Sequence, residues 1–434
     1  MKMKFKYIII AILSFLCLLL NSYFLFDIFK YYSLSGKNIS KYIYIADENV
    51  NVTKYAIYGT HLNIEGTLKL NQTFDNDNFS IKMVYIDDSS NEKEVPITYD
   101  MTGDNITFYT SKTINQGIYL DALNENTYSF YIKLTDSVSG LSSYYHLKNK
   151  TKYGDLEYYT ITRNNKNNKI EVNWTDTTLK LIVAETSLPK NYYDIVIDQG
   201  HGGKSTGAIA NGYTESLITY DIGKKLQKSL EALGLKVLTT RNDINETVPD
   251  YDENGRTVIP NKVKAKYCFS IHINSAPGND EASGVEIYCP SRAELSLGKA
   301  FADNIMEFTN STTSPNNYGR YSGAIYVLTF NEEVIKECYD EALEDGYEPY
   351  NISLDTPLFF MIREVGGIST KAYTDGRNVK VGKNIYYDSN QTAEGYLLEL
   401  GYISNKEEIE KIVNNKDKYV EAMTKSIKDY LKIE

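Results

Sequence analysis

Polar and apolar positions segregate sharply at the start of the chain. Lys2, Lys4 and Lys6 precede an apolar run over 7–26 that is interrupted only by Ser14, Asn21 and Ser22. About twenty such residues match the hydrocarbon core of a bilayer, so the pattern predicts a transmembrane helix, with residues 1–30 forming a cytoplasmic tip and signal-anchor. Lysines ahead of the span keep the N-terminus inside and put the rest of the chain outside. A leader cleaved near Ser33-Leu34-Ser35 is the rival reading, disfavoured by the length of the run and the distance of that site from it. Cys17 does not mark a lipoprotein, because Phe15 and Leu16 stand where small residues would be needed.

From 41 to 187 the pattern changes to short alternating runs, at 42–45, 54–58, 62–70, 80–85, 105–109, 128–134 and 169–174. Turn-forming stretches such as Asp75-Asn76-Asp77-Asn78 and Asp87-Asp88-Ser89-Ser90 separate them. Alternation of this kind predicts an all-β, sandwich-like accessory domain of immunoglobulin type. Its tyrosine pairs, Tyr144-Tyr145 and Tyr158-Tyr159, could stack on sugars, but tyrosine also simply suits strands, which is the weightier explanation. The domain is a spacer, a partner site or a wall-binding module, and the pattern does not choose among them.

Beyond 192 the period alternates between strand and helix. Ile195, Val196 and Ile197 form an uninterrupted β-branched run, as in a strand covered on both faces. Leu217, Ile218, Ile222, Leu226, Leu230 and Leu233 then recur at helical spacing, with Thr214 as a plausible N-cap and Gly234 as a stop. Strands follow at 235–239, 268–274, 285–288 and 395–403, and helices at 295–308 and 406–431.

Candidate chemistry sits at the ends of these strands. The loop Asp198-Gln199-Gly200-His201-Gly202-Gly203 lets the backbone turn sharply and presents His201 where α/β folds place their sites. Its spacing is neither the dinucleotide fingerprint nor a P-loop. Glu215 opens the helix that follows, and His272 lies near the end of the strand Cys268-Phe269-Ser270-Ile271-His272-Ile273-Asn274. Two histidines and one carboxylate, with a fourth position left to water, form a catalytic zinc arrangement. Taken alone, His272 is equally well read as a core histidine. Glu399 interrupts the apolar strand 395–403, where a carboxylate needs a cation or a catalytic task, unless the strand is an edge and the side chain faces water. His61 and His146 have no ligand spacing and read as structural or surface residues.

Composition narrows the partners. A length of 434 residues predicts two or three domains, and a hydrophobic share of 42% is enough to build their cores. A net charge of −11 argues against nucleic acid, and against simple electrostatic docking on anionic wall polymers or lipid headgroups. Four cysteines, one of them inside the first apolar run, make no disulfide framework; Cys268, Cys289 and Cys338 read as buried thiols.

The series IVIDQGHGG, Glu215 at the next helix, SIHIN and LLELGYISN resembles the zinc-dependent N-acetylmuramoyl-L-alanine amidases of peptidoglycan, whose motifs take the form DPGHGG, SIHAN and ELGFISN. The resemblance covers about 192–434. It departs from the pattern at Gln199, where proline is usual, and at Ile273, where a small residue is usual. It implies an α/β fold with a twisted, mostly parallel sheet and helices on both faces. It also implies one Zn2+ held by His201, Glu215 and His272, with Glu399 as the catalytic carboxylate. The expected reaction is hydrolysis of the amide joining N-acetylmuramic acid to L-alanine, with Asn274 and Arg377 as expected substrate contacts. Another extracellular zinc amidase or deacetylase is the alternative, as is an inactive wall-binding regulator, against which the retention of all four residues argues. Expected partners are peptidoglycan, the membrane through the N-terminal helix, and a protein activator, with the catalytic domain extracytoplasmic on a single-pass membrane protein. The stretch 316–394 is long for the family. Its predicted helices at 331–346 and 357–365 and its polar run at 374–378 suggest either a groove wall or an autoinhibitory insert.

Overall fold

The computed structural model describes residues 50–70, 79–110, 117–138, 142–148, 155–161, 167–175, 178–249, 254–256, 258–289, 295–314 and 391–433, with shorter pieces at 43–45, 140, 324–325, 340, 380–381 and 384–385. Two hydrophobic cores organise these residues.

The first core lies between two sheets. In one, Asn126–Asp136, Thr178–Thr186, Asn167–Thr175 and Leu156–Tyr159 pair antiparallel in that order, with Ser142–His146 and Phe79–Asp87 also pairing to Asn126–Asp136. In the other, Val50–Tyr58, His61–Lys69, Asn105–Tyr109 and Thr98–Thr102 do the same. Period-two alternation assigns the faces: Leu62, Ile64 and Leu68 from one sheet meet Phe130, Ile132 and Leu181 from the other in a single core.

The second core belongs to a six-stranded sheet in the order Val237–Thr239, Ile195–Gln199, Tyr267–Asn274, Glu394–Tyr402, Glu286–Tyr288, Ala324–Ile325. The first four strands are mutually parallel, whereas Glu286–Tyr288 runs antiparallel to Glu394–Tyr402. Ile195 and Ile197 face the main core with the helices Glu215–Ala232, Ser296–Thr309 and Lys416–Leu431. Val196 faces the opposite way, into a small cluster with Ala265 and Cys268 beside the short helix Ile259–Lys262.

The fold class expected from the sequence is therefore corrected. Among the described residues strand outweighs helix, and antiparallel ladders dominate both sheets of the first unit and enter the sheet of the second. The three long helices share one face of the second sheet instead of flanking both. Helical periodicity shows that a helix has one apolar side, but not which face of a sheet receives it. No helix among the described residues is long and apolar enough to cross a membrane, and the apolar run at 7–26 lies outside them. The predicted helices at 331–346 and 357–365 and the run at 374–378 also lie outside the described residues, apart from Asp340.

The two units meet at the N-terminal ends of the parallel strands. Gln391–Thr392, just ahead of the Glu394 strand, pairs with Val50–Tyr58 of the first unit. Thr60 Oγ1 hydrogen-bonds Tyr267 OH at 2.9 Å. The C-terminal ends of the strands are left for the site.

Candidate active site

His201 follows the strand Ile195–Gln199 by two residues and takes a left-handed backbone, with φ of 62°. That conformation is costly for a residue with a Cβ and is tolerated where the surroundings hold it. The glycines around it serve close approach: a Cβ on Gly200 would come within 2.6 Å of the His272 ring, and one on Gly207 would meet both Glu215 Oε2 and His201.

Glu215 is the centre of the cluster. Its Oε1 accepts from the Ile273 amide at 3.0 Å and stands 3.1 Å from His272 Nδ1. Its Oε2 accepts from the Ala208 amide at 2.9 Å and stands 3.4 Å from His201 Nε2. Two backbone amides thus orient the carboxylate between two imidazoles. Burial pushes this carboxyl up, but the hydrogen bonds and charges of His201 and His272 outweigh it and hold the group far below the usual range, as an anion. One donor atom from each of His201, Glu215 and His272 lies within 4.8 Å of the others. His272 Nε2 is buried with no hydrogen-bond partner. Three convergent donors, one of them carrying an orphaned nitrogen, suit a divalent cation with nitrogen and oxygen ligands.

Glu399 enters from the neighbouring strand. It pairs in register with His272 on one side and Glu286 on the other, so the three residues form one row across three strands. The ladder slips just beyond, between His272 and Asn274, an irregularity common at strand ends that present active-site residues. Glu399 Oε2 is buried with no partner. Burial, then the negative charges of Glu215 and Glu286, push its carboxyl well above the usual range.

Residues 195–337 match the family described as N-acetylmuramoyl-L-alanine amidase. This region belongs to that family. The chain is 30% identical over 141 residues to the N-acetylmuramoyl-L-alanine amidase LytC of Bacillus subtilis, an alignment covering 32% of this chain and 27% of that protein. It is 35% identical over 115 residues to the probable N-acetylmuramoyl-L-alanine amidase AmiB of Haemophilus influenzae, covering 25% of this chain and 26% of that one. The chain thus spans about a quarter of each of these relatives. Among solved structures, the N-acetylmuramoyl-L-alanine amidase of Clostridium difficile is similar at 19% identity with a TM-score of 0.36, over 56% of this chain and 98% of that one.

Of the residues picked out in the sequence, His201, Glu215 and His272 converge in the amidase region, and Glu399 stands beside them from a strand past the end of the family match. Asn274 is turned to the protein itself: its Nδ2 donates to Glu286 Oε2 and its Oδ1 accepts from the Ser275 amide. Arg377 lies outside the described residues. His61 and His146 sit in the first unit, stacked on Tyr119 and tilted against Tyr131.

Three residues of this neighbourhood escape a sequence reading. Glu286 is buried, holding Tyr402 OH on one oxygen and Tyr288 OH and Asn274 on the other. Arg241 and Arg256 are buried behind the His201 loop. The available signal is composition: of 46 basic residues only seven are arginine, so arginine here marks places where a planar fork of donors is needed.

Proposed function

We propose that the amidase region hydrolyses the amide between N-acetylmuramic acid and L-alanine in peptidoglycan, with His201, Glu215 and His272 holding one zinc ion and Glu399 acting as the catalytic carboxylate. The observation that carries this reading is the Glu399 carboxyl in register with His272, its Oε2 buried without a partner, beside the three converged donors. Zinc, when bound, supplies Lewis acidity at the scissile carbonyl and lets water act as a nucleophile near neutral pH.

The chain's own residues supply the rest. Glu399 accepts a proton from the attacking water and returns it to the departing amine of L-alanine, which would otherwise leave as an anion. An environment that raises its proton affinity suits that second step. Glu215, held by the amides of Ala208 and Ile273, orients both imidazoles without needing to move. The substrate places the region's work on the extracytoplasmic side.

The test is product analysis on purified peptidoglycan. Intact glycan strands and free stem peptides with new L-alanine amino termini support the reading. Release of acetate, or peptides cut at another bond, would assign the site to a different zinc hydrolase.

A further inference from the structure

The His201 loop is unusual in what holds it. The left-handed His201 is met inside its own turn by Ser205, whose Oγ lies 3.2 Å from its Nδ1 and whose backbone exchanges hydrogen bonds with Gly202 at 2.6 and 3.0 Å, but its carbonyl needs a constraint from outside the turn. Two buried guanidiniums supply that constraint. Arg256 Nη2 donates to the His201 carbonyl at 3.0 Å, while its Nη1 lies 3.7 Å from Asp198 Oδ2. Asp198 is itself fixed at the end of its strand, accepting from Thr240 Oγ1 at 2.8 Å and Ser270 Oγ at 2.6 Å. Burial pushes the Asp198 carboxyl up, but the Arg256 charge and these hydroxyls hold it below its ordinary value, as the counter-ion the guanidinium needs.

Arg241 works from the other side. Its side chain packs under Gly202, where a Cβ would collide with it. Its Nη2 donates to the Ser216 carbonyl at 2.9 Å and contacts Thr219 Oγ1 at 3.3 Å, at the start of the helix that carries Glu215. The strand end, the His201 loop and the Glu215 helix are therefore tied together by two planar cations, neither of which reaches the donor cluster.

We infer that Arg256, seconded by Arg241, is a positioning residue for the metal half-site: it holds His201 in ligating position through the histidine's backbone carbonyl and not through its ring. This rests on the zinc reading above. Outer contacts of this kind commonly change metal affinity by about 10–100-fold. A lysine is not equivalent to the fork, since its single nitrogen cannot reproduce the two separate, planar positions that Nη2 and Nη1 hold at the His201 carbonyl and Asp198.

The experiment titrates zinc into full-length protein against a chromophoric chelator, for wild type, Arg256→Ala, Arg256→Lys, His201→Ala and the double variant His201→Ala/Arg256→Ala. The expected result is a loss of about 10–100-fold in zinc affinity for Arg256→Ala, with no further loss when it is added to His201→Ala. Millimolar guanidinium should restore part of the Arg256→Ala affinity. Arg256→Lys, which keeps the charge beside Asp198, should fold with a wild-type circular dichroism spectrum and still bind zinc more weakly. Unchanged affinity in Arg256→Lys and Arg256→Ala overturns the inference, and so does an Arg256→Ala loss that persists in full on the His201→Ala background. Failure of wild type to bind zinc would instead overturn the metal reading itself.

Discussion

The two ends of the six-stranded sheet hold their buried charged groups differently. At the C-terminal ends of the strands His272 Nε2 and Glu399 Oε2 are buried without a partner, and donor atoms of His201, Glu215 and His272 lie within 4.8 Å of one another. At the N-terminal ends Lys266 and Asp194 are both buried, and their charges are met in full view of each other at 2.8 Å. Lys266 also donates to Tyr192 OH at 3.0 Å and lies over the rings of Tyr158 and Tyr192. Burial would lower its proton affinity, but Asp194, Tyr192 and Asp121 raise it well above the ordinary value. Asp194 Oδ2 accepts from the Lys236 amide, and Asp121 accepts from Tyr158 OH. Tyr158 and Asp121 come from the β-rich unit. The described residues of that unit therefore complete the structural end of the sheet.

A buried ion pair stabilises the fold, whereas convergent donors beside a buried carboxyl suit chemistry, so variants at the two ends should fail differently. The largest effect belongs to Glu399→Gln, which should lower turnover of peptidoglycan by about 10²–10⁴-fold with zinc content unchanged; metal analysis alongside a peptide-release assay checks both. Next comes Lys266→Met. It strands Asp194 in the interior, at a cost of about 3–5 kcal/mol in urea unfolding, while leaving the activity per folded molecule close to wild type.

Gly59→Ala probes the seam between the units with a smaller perturbation. Gly59 has φ of 55°, and an added Cβ would lie 2.8 Å from Glu394 Oε2. A loss of about 1–2 kcal/mol is expected from the backbone conformation, again without loss of catalysis. The smallest effect at neutral pH is one that appears only in acid. His61, also at this end, is stacked on Tyr119 and contacts Thr60, and burial lowers its proton affinity from 6.5 to about 4. Between those values the unfolded chain binds the proton and the folded one does not, so the His61 contribution is whole above pH 6.5 and fades as pH falls toward about 4. His61→Gln should flatten the dependence of the unfolding midpoint on pH across that window.

The reactive end was far more legible in the sequence than the structural one. His201 follows an apolar strand, Glu215 opens an amphipathic helix, and His272 and Glu399 interrupt apolar strands, so each stands out as a polar residue against a periodic apolar element. Lys266 also begins a strand, in Lys264-Ala265-Lys266-Tyr267, but nothing there separates a buried lysine from a surface one. Its burial comes from Tyr158, about a hundred residues earlier, on another unit. The fold class suffered from the same asymmetry, because motif-bearing strands set the expectation while the ladders of the first unit contribute most of the sheet. The strand Thr178–Thr186 alternates as clearly as its neighbours, with Leu179, Leu181 and Val183 inward, yet it is not among the predicted strands. Arg241 and Arg256 lay in what reads as a polar loop, since hydrogen bonds to carbonyls 25 and 55 residues away leave no local trace.

The most direct measurement compares Glu399→Gln with Lys266→Met in the full-length protein, taking the urea midpoint and the turnover per folded, zinc-loaded molecule for each. The account predicts that the two variants separate cleanly: Glu399→Gln as stable as wild type or more so, and inactive; Lys266→Met active and much less stable. If Glu399→Gln lost stability to the same degree as Lys266→Met, or if folded Lys266→Met were as inactive as Glu399→Gln, the division of the sheet into a structural and a reactive end would be wrong.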